Sequence, residues 1–182
     1  MHMYFIAIVL PDELNKKVQK WKELMHEKYG CTIGLKSPAH ITFIPPSWME
    51  EEKEQQLIAD VDTISSSVHP FTIAINNFSA FKPRTIFADV VVNNELRSLK
   101  AAVDTFFLKS AYKIKIDSRP FHPHITIATR DLHKKDFQEA WPMFETKRFK
   151  AEWEANGLSV LRHNKARWEV IRTSKFRLNI NE

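Results

Sequence analysis

The chain has one cysteine, Cys31, and only 3 glycines in 182 residues. A single thiol forms neither an internal disulfide nor a thiolate-rich zinc site, so nothing demands an oxidising compartment and cytoplasmic residence is expected. No feature beside Cys31 would lower its pKa, which argues against a cysteine nucleophile. So few glycines leave no Gly-rich loop to cradle a nucleotide's phosphates, and ATP-driven ligation has no support. Long apolar runs are missing as well. Tyr4 to Leu10 is far too short to span a bilayer, lacks a basic lead and precedes no small-residue cleavage site. It reads as a buried strand, and no membrane partner is expected.

What the chain does have is ring mass: 13 Phe and 5 Trp in a sequence that is 43% hydrophobic, enough for a packed globular core. Its 27 Lys and Arg against 22 Asp and Glu give a net charge of +5, which favours anionic partners. Basic clustering, rather than net charge, is what marks a binding face.

The order of elements occurs twice. Met3 to Leu10 is strand-like and stops at Pro11-Asp12; a helix follows with Leu14, Val18, Trp21, Leu24 and Met25 at helical spacing, and Gly30 stands where a terminator belongs. After Lys36-Ser37-Pro38-Ala39 comes a short strand from His40 to Ile44, closed by Pro45-Pro46, and then a helix over Glu50 to Ser66. From Thr85 the same series returns. A strand to Val92 leads through the turn Asn93-Asn94 into a helix bearing Leu96, Leu99, Val103, Phe106 and Phe107. At a constant offset of 82, Phe5 meets Phe87, Val9 meets Val91, Glu13 meets Glu95 and Leu14 meets Leu96, and two residues more align His40-Ile41-Thr42-Phe43 with His124-Ile125-Thr126-Ile127. The repeats cover about 3–66 and 85–145; 71–78 and 149–176 supply further strands, and Lys134 to Phe144 reads as a helix despite Pro142. Two copies do not make a solenoid. They predict a single bilobed unit over 1–182, α+β, with two pseudo-symmetric lobes related by a pseudo-twofold.

Along a strand, side chains alternate faces, so His-x-Thr presents an imidazole and a hydroxyl together while Ile41 or Ile125 points the other way. Two such pairs converging across a cleft suit one phosphodiester. In-line displacement at phosphorus needs a base on the attacking oxygen, an acid on the departing one and donors on the nonbridging oxygens. His40, His124, Thr42 and Thr126 meet that need. A lone His-x-Thr says almost nothing, but two copies at equivalent places are hard to explain by packing, which would favour Val or Phe at both histidine positions.

The segments Pro38-Ala39-His40-Ile41-Thr42-Phe43 and Arg119-Pro120-Phe121-His122-Pro123-His124-Ile125-Thr126-Ile127 closely resemble the paired motifs of the two-histidine phosphoesterases, specifically the 2'-5' RNA ligase and RNA 2',3'-cyclic phosphodiesterase family. Phe81-Lys82-Pro83-Arg84-Thr85-Ile86-Phe87 resembles that family's strand opening the second half. The resemblance implies that each lobe is an antiparallel sheet with helices packed outside and that the active-site cleft lies between the sheets. It also implies metal-independent chemistry without a cofactor, with His40 as proton donor, His124 as proton acceptor, and Thr42 and Thr126 holding phosphate. It implies hydrolysis of a 2',3'-cyclic phosphate at an RNA end to a 2'-phosphomonoester, with weak 2'-5' ligation in reverse. A cyclic phosphate of this kind needs a 2'-hydroxyl, so RNA rather than DNA ends would carry it. Arg130 stands one place later than the family's usual basic residue. Phe43, Phe121 and Trp168 are candidates to stack a base, and Lys36, Lys82, Arg84 and Arg119 to attract the backbone. No obligate protein partner is implied.

Three rival readings bear on the same residues. His122-Pro123-His124 puts two imidazoles on one strand face, as a metal site would, but neither motif contains a carboxylate and the third alternate position is Thr126. His122 instead reads as support for its loop or for its neighbour. A noncatalytic RNA- or nucleotide-binding domain would keep the cleft without turnover. A phosphodiesterase acting on a small cyclic nucleotide or a 2'-5' oligoadenylate would keep the chemistry and change the substrate.

Overall fold

A strand that carries two prolines must lie at a sheet edge, where an N–H can be missing without breaking a ladder. The first motif strand does so. In the computed structural model, which describes residues 1–178, His40–Met49 (β2) is the edge of a four-stranded sheet of order β2-β1-β7-β8. Its partners are His2–Val9 (β1), Gly157–Asn164 (β7) and Arg167–Lys175 (β8). The stop expected at Pro45-Pro46 is therefore corrected: the strand runs on to Met49, with register shifts against β1 between Tyr4 and Ala7 that absorb the prolines. Residues 179–182, the end of the expected 1–182 unit, lie outside the described residues.

The second sheet has the order β5-β4-β3-β6, from His124–Ala128 (β5), Thr85–Val90 (β4), Phe71–Phe81 (β3) and Lys150–Ala155 (β6). All pairings in both sheets are antiparallel. The two orders correspond strand for strand, with each His-x-Thr strand at an edge and the opening strand of its own half beside it. The extra strands cross over: β3 follows the first half but joins the second sheet, and β7 and β8 follow the second half but complete the first. The single run expected over Phe149 to Leu161 breaks at Asn156, and its parts enter different sheets.

Among the described residues four α-helices cover the outside: Asp12–Tyr29 (α1), Glu54–Ser65 (α2), Asn94–Lys109 (α3) and Lys134–Glu145 (α4). Gly30 ends α1 in the left-handed region at φ 69°, where a side chain would be strained, and its N–H donates to His26 O at 2.8 Å. Asn93 starts α3, its side chain accepting from the Leu96 N–H at 2.8 Å. The helices are exchanged between halves. Trp21 of α1 packs edge-on against Phe78 of β3 and Phe144 of α4, with ring centroids 5.6 and 5.9 Å away, so α1 shares the second sheet with α4. Conversely α3 meets β2, and Tyr112 just beyond it donates to Asp60 of α2 at 2.6 Å. This exchange seats α1 directly behind the loop that leads into the first motif. Among the described residues no helix is long and apolar enough to cross a membrane.

Candidate active site

The two motifs occupy equivalent environments. At both, histidine and threonine are half-buried while the intervening isoleucine is fully buried, as alternation on an edge strand requires. Each histidine is also fixed in the same way. His40 Nδ1 lies 2.7 Å from Pro38 O, and His124 Nδ1 lies 2.7 Å from His122 O. A carbonyl only accepts, so Nδ1 carries hydrogen in both rings and Nε2 is left to take or give a proton.

Burial lowers the pKa of both. His40 falls to about 4, with the charges of Lys22 and His124 lowering it further and the hydrogen bond to Pro38 raising it. His124 is lowered by burial and by His122, against the opposing effects of its carbonyl partner and Asp89. The surroundings thus break the symmetry of the motifs: a lysine acts on His40 and a carboxylate on His124. Both imidazoles are mainly neutral in the free protein near pH 7, and an arriving phosphate anion favours protonation of one of them.

These shifts make stability depend on pH. Between about 4, the folded value for His40, and its ordinary 6.5, the unfolded chain binds more protons than the folded one, so stability falls as pH drops through that window. Going from pH 7 to 4.5, His40→Gln is expected to lose about 1 to 2 kcal/mol less stability than the wild type. Urea denaturation of both proteins at the two pH values measures this, and equal losses would show that His40 accepts its proton without penalty.

Side chains outside the motifs hold them. Lys22 of α1, only 2% exposed, donates to Ser37 O at 3.0 Å, and Asn15 accepts the Ala39 N–H at 2.7 Å, so α1 grips both ends of the loop before His40. Burial brings the Lys22 pKa down to about 8. On the other side His122 Nε2 lies 3.0 Å from Asp89 Oδ1, and Asp89 is the register partner of His124 on β4. The expected support role of His122 thus has a visible partner. Asp131 links the halves: its Oδ2 accepts from the N–H groups of Thr32 and Ile33 at 2.6 and 2.8 Å. Gly34 lies so close to β5 that a Cβ there would stand 2.5 Å from Ile127 O.

A cavity of about 470 Å³ opens at the motifs, and Thr42, Phe81, Phe121, His122 and His124 are in its wall. His40 and Thr126 are not among the residues that line it, although His40 is near enough to His124 for the charge of one to act on the other. Phe43 borders the cavity but is 1% exposed, its ring packed 5.7 Å from that of Phe121, which leaves little of it for stacking. Arg119 lines the wall in an ion pair with Asp117. Arg84 and Arg130 sit exposed in turns and take no part in the wall, and Lys36 and Lys82 are likewise exposed and absent from it. Trp168 packs on Phe5, which in turn packs on His40, with 4.7 Å between centroids at each step. Sequence reasoning missed Lys22, Asp89, Lys100 and Asp104, the last two also in the cavity wall. The signal for Lys22 was its place in the stripe, four residues beyond Val18 and three before Met25. Among the described residues no three His, Cys, Asp or Glu side chains converge as a metal-binding group. A larger cavity of about 840 Å³ lies between α2 and α3 and contains none of the motif residues.

Solved structures with this architecture include the TT0787 protein of Thermus thermophilus, with a TM-score of 0.68 and 20% identity over 98% of this chain and 100% of that one. Another is E. coli LigT complexed with 3'-AMP, with a TM-score of 0.68 and 17% identity over 96% and 98%. At these identities the likeness speaks for the fold. In sequence the chain is 27% identical over 135 residues, 70% of each protein, to an RNA 2',3'-cyclic phosphodiesterase of Bacillus subtilis (strain 168). The 2'-5' RNA ligase superfamily matches residues 10–167, a span that contains both motifs, and the chain belongs to that superfamily.

Proposed function

We propose that this protein hydrolyses the 2',3'-cyclic phosphodiester at an RNA end to a 2'-phosphomonoester, without a metal ion, and that it can rejoin such ends weakly as a 2'-5' linkage. The observation that carries the reading is the matched pair of edge-strand histidines, each with Nδ1 tied to a carbonyl 2.7 Å away and Nε2 free for proton transfer. In the forward reaction water attacks phosphorus and the P–O3' bond breaks. One ring takes the proton from water as the new P–O bond forms, and the other gives a proton to O3' as it leaves. The resemblance gives His124 the first part and His40 the second, and the bound phosphate anion must offset the Lys22 charge for His40 to carry that proton. Thr42 and Thr126, sharing faces with the histidines, donate to the nonbridging oxygens. The Bacillus relative's activity and the LigT complex with 3'-AMP support a nucleotide phosphate as the ligand.

The test is a short oligoribonucleotide ending in a 2',3'-cyclic phosphate, incubated with the protein in excess EDTA. The expected result is complete opening, with the terminal monoester on the 2' oxygen. Dependence on added divalent metal would defeat the two-histidine mechanism. Tight binding with the substrate left intact would favour a noncatalytic binding domain.

A further inference from the structure

A lysine and an aspartate four residues apart on a helix usually stand in solvent and contribute little. Lys100 and Asp104 of α3 depart from that pattern. Their ion pair is largely hidden, with 14% and 23% of the side chains exposed, and the Lys100 Nζ lies 5.7 Å from the ring centre of Phe121. Both residues are in the wall of the cavity that holds Thr42 and His124. A charged pair is thus built into the wall of the site, at a place that the proton-transfer chemistry does not use.

Resting on the phosphodiesterase reading above, we propose that Lys100 and Asp104 form a base-reading subsite selecting guanine as the nucleobase of the nucleoside that carries the cyclic phosphate. Guanine's edge presents an acceptor, O6, followed by two donors, N1–H and the N2 amine. An ammonium beside a carboxylate is the complementary series: Lys100 donates to O6 while the two carboxylate oxygens of Asp104 accept from N1–H and N2–H. Nζ donates to both carboxylate oxygens, which leaves one donor on Nζ and a further lone pair on each oxygen for these contacts. Adenine offers the reverse, an amine where Lys100 needs an acceptor and a bare N1 lone pair facing the carboxylate. The base's flat faces have partners too, since Phe81, 42% exposed, and Phe121 line the same cavity. The volume of about 470 Å³ is in the range of small-ligand sites and suits a single nucleotide.

The experiment compares kcat/KM for the 2',3'-cyclic monophosphates of guanosine, inosine and adenosine. Guanosine is expected to exceed adenosine roughly tenfold or more, the size of discrimination a site gains when its polar groups would otherwise be left unpaired. Inosine keeps O6 and N1–H but lacks the amine, and should fall between them. In Asp104→Asn, which keeps the side chain's shape, the guanosine-to-adenosine ratio should drop to within about threefold of one. Equal values for the three substrates in the wild type, or an undiminished ratio in the variant, would overturn the subsite. If none of the three is hydrolysed, the oligoribonucleotide ending in a 2',3'-cyclic phosphate decides the phosphodiesterase reading separately. Calorimetric binding of guanosine 2'-monophosphate against adenosine 2'-monophosphate then decides the base subsite, with equal affinities refuting it.

Discussion

Alanine at His40 or at His124 is expected to lower kcat on a 2',3'-cyclic phosphate by about a thousandfold, the middle of the range for loss of a positioned acid or base. The two losses should not multiply. An acid and a base that act in one displacement work as a unit, so the double variant is expected to be little slower than either single one. Both rings are held by their own Nδ1 hydrogen bonds to Pro38 O and His122 O, and replacing one leaves the other's anchor in place. KM should therefore change much less than kcat. The threonines differ in kind. Thr42→Val removes the hydroxyl proposed to hold the phosphate while keeping the branched shape on β2, and about a hundredfold loss is expected, as for a single oxyanion donor. Steady-state kinetics on the cyclic phosphate distinguish these cases, and an alanine variant of either histidine that retained a tenth of the wild-type rate would remove that residue from the mechanism.

The facing of the two His-x-Thr pairs is legible in the sequence because strand alternation is a strong local rule. His-x-Thr with a buried Ile between its members predicts the half-buried and buried positions found in both β2 and β5. The same rule, applied one residue further, puts Phe43 on the face of Ile41, away from His40 and Thr42. Ring type alone makes Phe43 a stacking candidate, and its burial follows from register. Arg84 and Arg130 carry charge near a motif, and charge has no periodicity to say which way a turn will aim it.

The duplication itself can be read from the constant offset, but not the exchange that builds each lobe from both halves. An amphipathic helix advertises that one face is buried without specifying the sheet that buries it. Trp21 on α1 fits either sheet by pattern; Phe78 and Phe144, supplied from distant parts of the chain, decide the matter. The split at Asn156 is equally non-local. β6 and β7 are both well-formed strands, and what separates them is pairing, β6 with β3 and β7 with β1. Lys22 is hidden from sequence for a related reason. A lysine in an amphipathic helix normally belongs to the wet face, and only the loop that α1 packs behind, with Ser37 O in reach, accounts for one that is buried.

Because α1 belongs to one half by sequence and to the other by packing, the aromatic cluster that holds it is expected to carry an unusual share of the stability. Phe144 has no exposed surface, and its ring meets Trp21 at 5.9 Å and Phe78 at 5.1 Å. Phe144→Ala should cost about 3 to 5 kcal/mol by urea denaturation, a large part of the roughly 5 to 15 kcal/mol that keeps a protein folded. Leu108→Ala, at a position 66% exposed on α3, should stay within about 0.5 kcal/mol and serves as the control. A loss below about 1 kcal/mol for Phe144→Ala would mean that the site collapses around the cavity and that other contacts seat α1. The functional consequence separates this variant from those at the histidines. Through Asn15 and Lys22, α1 fixes the loop that ends at His40, so unseating the helix should remove structure and turnover together. Activity of Phe144→Ala should disappear along the urea axis in step with its unfolding. His124→Ala, by contrast, should be inactive while still folded, since it removes a half-buried ring at the start of an edge strand and leaves the core between the sheets and helices filled.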